Sequence, residues 1–65
     1  MYPRLEASLW KTGKSKYEFA HDLGISYQSF LRKLKGYSYF TLDEALAIQQ
    51  FVNDGKSVEE LFQKR

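Results

Sequence analysis

GISYQSFLRKLKG, residues 24–36, decides how the rest of this 65-residue chain is read. Glycine stands at both ends, and Phe30, Leu31 and Leu34 recur between them at helical spacing. Ser26 can cap the start of such a helix, and Gly36 can end it in a left-handed conformation. Tyr27, Gln28, Ser29, Arg32, Lys33 and Lys35, the other positions between Ser26 and Gly36, carry hydroxyl, amide, guanidinium and ammonium groups and no carboxylate. One face of the helix is apolar, and the other offers donors and positive charge.

The same stop and start signals mark the chain on both sides. Upstream, Ser15 followed by Glu18 forms a capping box, in which each side chain can bond the other residue's backbone N–H. It opens a second helix that buries Phe19, Ala20 and Leu23 and closes at Gly24. Only Gly24 and Ile25 lie between Leu23 and Ser26, so the two helices join through a sharp bend for which a glycine supplies positive φ. Before them, Pro3 starts a first helix with Leu5, Leu9 and Trp10 as its apolar stripe, ended by Gly13. Downstream, Tyr37 to Phe40 read as a loop. Thr41 with Glu44 opens the longest helix, whose apolar set is Leu42, Ala45, Leu46, Ile48, Phe51 and Val52 and whose stop is Asn53, Asp54 and Gly55. Ser57 with Glu60 opens a short last helix burying Val58, Leu61 and Phe62. No segment alternates long enough for a strand. The expected fold is all-α: a compact bundle of five short helices in one domain spanning residues 1–65.

Composition sets the boundaries. A chain this short buries a modest share of its surface, and it has no cysteine for a disulfide or thiolate metal site. Trp10, Phe19, Phe30, Phe40, Phe51 and Phe62 are expected to supply much of the core. No apolar run reaches the roughly 18 residues of a membrane span, and MYPRLEASLW, residues 1–10, has neither the basic start nor the apolar stretch expected of a secretory signal. The expected compartment is the cytoplasm. Residues 1–40 hold seven basic against three acidic residues, a balance of +4, and residues 41–65 hold three against five, a balance of −2. A basic front and an acidic back suggest one face turned toward a polyanion. His21 has no serine or carboxylate partner in a catalytic pattern, and Asp43 and Glu44 read as first-turn acids that complement a helix dipole. No catalytic residue, metal, cofactor or small-molecule substrate is expected.

Two helices bent at Gly24 form a helix-turn-helix, at about residues 15–36, whose second helix suits the DNA major groove. Through Ser15-Lys16-Tyr17-Glu18-Phe19-Ala20, Gly24-Ile25-Ser26, Leu34-Lys35-Gly36 and Thr41-Leu42-Asp43-Glu44-Ala45, nearly the whole chain resembles the lambda repressor and Cro type of DNA-binding domain. The resemblance implies that the start of the third helix reads base edges, with Tyr27 and Gln28 on the main reading positions, Ser29 beside them and Arg32 one turn on. It implies phosphate contacts at Lys35, at Lys16 and in the loop of Tyr37 and Ser38. The chain departs from the family pattern in three places. Lys14 replaces an apolar residue, Lys16 replaces a glutamine, and Tyr27 replaces a small polar residue.

The chemistry of the side chains agrees with these roles. Gln28 can pair with adenine N6 and N7, and Arg32 with guanine O6 and N7. Lys16, Lys33 and Lys35 can add salt-dependent affinity for phosphates. The expected function is a sequence-specific, DNA-binding transcriptional regulator of the phage or mobile-element repressor kind, acting on double-stranded DNA in a bacterial host. A homodimer on a near-palindromic operator is expected, with any dimer contact drawn from residues such as Phe51, Val52 and Phe62. The chain is either a whole regulator or the N-terminal domain of a longer repressor. The alternative is a helix-turn-helix adaptor or antagonist that binds protein instead of DNA.

Overall fold

Four of the five helices begin on a side chain that accepts the backbone N–H three residues on. These pairs are Ser15 with Glu18, Ser26 with Ser29, Thr41 with Glu44 and Ser57 with Glu60, at 3.1–3.2 Å. In three of them the glutamate reaches back to the cap's own N–H, completing the expected boxes. Each cap contributes about 1 kcal/mol, which matters in helices too short to persist alone. The computed structural model describes residues 2–64 and places α1 at Pro3–Lys11, α2 at Lys16–Leu23, α3 at Tyr27–Lys35, α4 at Leu42–Val52 and α5 at Val58–Leu61. No strand occurs among the described residues.

Helix ends are equally local. Gly24 and Gly36 adopt φ of 75° and 89°. Beyond each glycine the next N–H reaches back five residues, from Ile25 to Ala20 O at 3.1 Å and from Tyr37 to Arg32 O at 2.9 Å. This pattern satisfies carbonyls that a helix end leaves open, and it turns the chain sharply. At the end of α4 the left-handed position falls to Asn53, at φ 44°.

The core lies where α1, α2, α3 and α4 converge. Leu5, Leu9, Phe19, Ala20, Phe30, Leu34 and Ile48 are buried, with Leu23, Ile25, Phe40, Val52 and Phe62 packed against them. Aromatic rings run through it. Phe30 meets Phe40 edge-on at 6.2 Å, and Tyr2 meets Phe40 and Phe62 edge-on, each at 5.7 Å. Leu61 seats α5 beneath α1 and α4.

Two expectations about the core are corrected. Trp10 is 84% exposed. The buried face of α1 is Leu5, Ser8 and Leu9, and Trp10 lies about 100° further round the helix. Tyr2, just before the helix, takes the aromatic place instead. On α4 the inward face is Ala45, Ile48 and Val52, while Leu42, 70% exposed, and Leu46 point outward. Phe51 sits at the core's edge, its ring 6.2 Å from that of Phe19.

Candidate nucleic-acid interface

Phe30 and Leu34 anchor α3 by one face, and that fixes what the opposite face presents. At 3.6 residues per turn, Gln28, Arg32 and Lys35 share an arc on the side away from these two residues. All three are exposed. The first turn of α3 holds no acid and its last turn holds Arg32, Lys33 and Lys35. The Arg32 guanidinium carbon lies 5.7 Å from the centre of the exposed Tyr37 ring, a cation–π contact that limits where the guanidinium can swing.

Ser29 stands at the border of this arc. Its N–H is held by Ser26, and the Ser26 hydroxyl donates to its oxygen at 3.0 Å. Ser29 is thereby tied to the start of α3. Ser38 is half-buried in the loop after α3, next to Tyr37.

Two of the expected contact residues occupy other surroundings. Lys33 turns toward α4, where its ammonium lies 2.7 Å from each carboxylate oxygen of Glu44. The two side chains are only 15% and 14% exposed. Burial pushes the Glu44 carboxyl up, but hydrogen bonds from Lys33 and Thr41 and the lysine's charge hold it below the usual glutamate range. Tyr27 turns toward α2 and stacks on Tyr17, with ring centres 4.3 Å apart and planes only 4° from parallel. Tyr17 itself is 68% exposed. This stack joins the starts of α2 and α3. It was not foreseen from the sequence, because its partners lie ten residues apart on different helices.

Lys16, at the first position of α2, pairs with Glu6 at 3.2 Å across an exposed gap. An exposed pair of this kind contributes little and exchanges readily for another anion. Lys14 lies at the aromatic edge of the core. Its ammonium lies 5.0 Å from the centres of both the Phe19 and Phe51 rings and binds Asp22 at 2.6 Å. Its charge is thus held by a carboxylate and two aromatic rings.

Of the residues expected to carry a dimer contact, Val52 and Phe62 are packed against the core and Phe51 is 36% exposed at its edge. The exposed Tyr39 and Leu42 line a groove with Ala45, Val58 and Phe62. Among the described residues no group of acidic and histidine side chains is placed to hold a metal, and no helix is long and apolar enough to cross a membrane. Comparison of the chain with protein-family models, with curated proteins and with solved structures finds no match.

Proposed function

We propose that this chain is a sequence-specific DNA-binding regulator. α2 and α3 act as a helix-turn-helix, and α3 enters the major groove. One observation carries the reading: Gln28, Arg32 and Lys35 stand together on the exposed face of a helix whose other face is sealed into the core. A nine-residue helix is about 13 Å long and 10–12 Å across, which suits a groove about 12 Å wide. Gln28 and Arg32 carry the amide and guanidinium that match adenine and guanine edges. Ser29 and Tyr27 flank them, Lys35, Lys16, Tyr37 and Ser38 serve the phosphates, and the start of α3 offers its dipole to the same anions. Lys33 is assigned no contact, because its charge is already paired with Glu44.

A module this small covers roughly 600–1,000 Å² of DNA, so two copies on a near-palindromic site, about one helical turn apart, supply the specificity. As a regulator of this kind the chain works in the cytoplasm of a bacterial host, as phage and mobile-element repressors do. A second reading, a protein-binding adaptor, draws on the exposed Tyr39 and Leu42. Selecting bound duplexes from random DNA separates the two. The DNA reading expects an enriched sequence with paired half-sites, and Gln28→Ala and Arg32→Ala each to relax preference at one position. A folded chain that enriches no sequence supports the adaptor.

A further inference from the structure

Exposure alone assigns no role to an aromatic side chain, and Trp10, Tyr37 and Tyr39 are more exposed than Tyr17. Two-thirds of Tyr17 faces solvent. It is nevertheless held in place, because its ring lies flat on Tyr27 at 4.3 Å. Its hydroxyl takes no part in the bonds that cap α2 and α3, which Ser15, Glu18, Ser26 and Ser29 make among themselves. Tyr17 is the second residue of α2, and Tyr27 directly precedes Gln28. The stack therefore ties an exposed phenol to the residue beside the base-reading arc. A rigid aromatic side chain bearing a polar tip gives contact area at low entropic cost.

From this placement, and resting on the DNA-binding reading above, we infer that Tyr17 is a further DNA contact: its hydroxyl donates a hydrogen bond to a backbone phosphate beside the half-site, and stacking on Tyr27 holds it there. The class of partner follows from position. In a helix-turn-helix the first helix crosses the sugar–phosphate backbone while the second lies in the groove, and tyrosine hydroxyls are among the usual donors to phosphate. Tyr27 is then a positioning residue. Its ring is turned toward Tyr17 and stacked on it.

The test uses a labelled duplex carrying the selected site and fluorescence anisotropy. Tyr17→Phe keeps the ring and removes the hydroxyl, and it is expected to weaken binding about fivefold with an unchanged melting temperature. Replacing single phosphates by uncharged methylphosphonates locates the contact. At one phosphate the substitution weakens the unaltered chain but not Tyr17→Phe, so the two losses are not additive. Tyr27→Ala frees the Tyr17 ring and reproduces the loss at that phosphate. If the unaltered chain binds the duplex and Tyr17→Phe binds within twofold of it at every phosphate pattern, the inference is overturned and the DNA reading stands. If the folded, unaltered chain binds no duplex, both are overturned.

Discussion

Ser8 is buried in the face of α1 that meets the core, and a buried hydroxyl needs a partner. It donates to Asp54 Oδ2 at 2.6 Å, across 46 residues of sequence. Lys56 adds its backbone N–H at 3.2 Å and its ammonium at 3.1 Å. The Ser8 hydrogen bond, with the two bonds and the charge of Lys56 behind it, lowers the Asp54 carboxyl to about 2 against the opposing effect of burial. Glu60 is also lowered, first by the backbone N–H of Ser57 and then by its hydroxyl. A carboxyl lowered in the folded state contributes stability that is complete above its unfolded pKa, about 4, and is lost as pH falls through its folded value. Melting temperature is therefore expected to fall between about pH 4 and pH 2. Asp54→Asn should be less stable than the parent at neutral pH and should lose less on acidification across that window. Parallel melting profiles for the two chains would contradict the role given to Asp54.

Among the helical elements, the bend between α2 and α3 governs what reaches solvent. Gly24 sits at φ 75°, with nothing within 4 Å of where a Cβ would stand, so alanine there costs conformation and not space. That cost is about 1–2 kcal/mol. For a domain of this size each 1 kcal/mol lowers the melting temperature by about 4–8 °C. Gly24→Asn should cost less than Gly24→Ala, since asparagine tolerates the left-handed region, as Asn53 does at the end of α4. Thermal melts of the two variants check the order, and equal losses would mean that the bend is not held by this conformation.

The same elements explain which features were legible in the sequence. Helix starts and stops were readable because a cap, its partner three residues on and a closing glycine are all local. Ser15, Thr41 and Ser57 behave as their spacing predicts. The outward arc of α3 was readable for the same reason, because Phe30 and Leu34 fix the opposite face. Trp10, Leu42 and Leu46 misled because an apolar residue at the margin of a stripe is buried only if another element reaches it. Tyr2 was missed for the converse reason, since it stands outside any helical period and is covered by Phe40 and Phe62. The Lys33–Glu44 and Tyr17–Tyr27 pairs join residues of different helices, so no periodicity within one helix announces them.

At the scale of the whole molecule, 63 described residues fold to a radius of gyration of 10.4 Å within 26 × 23 × 19 Å. That radius is what a fully compact chain of this length reaches, about 11 Å. Two copies of these dimensions side by side are compatible with half-sites about 34 Å apart. The charge is divided along the chain, with +4 in residues 1–40 and −2 in residues 41–65. The proposed α3 face belongs to the basic part and the α4 and α5 surfaces to the acidic part. Attraction to DNA by such a face releases counterions, so it weakens with salt in proportion to the phosphates neutralised.

The most direct measurement is the affinity for the selected duplex across a series of salt concentrations, for the parent chain, Arg32→Ala, Lys35→Ala and Lys33→Ala. Log affinity is expected to fall linearly with log salt. Arg32→Ala should lose about 1–3 kcal/mol at the selected site, and Lys35→Ala should reduce the salt slope by about 1. Lys33→Ala should leave the slope unchanged while lowering the melting temperature. A folded chain that binds no duplex, or binds with an affinity indifferent to salt and to Arg32, contradicts the DNA-binding role proposed for α3.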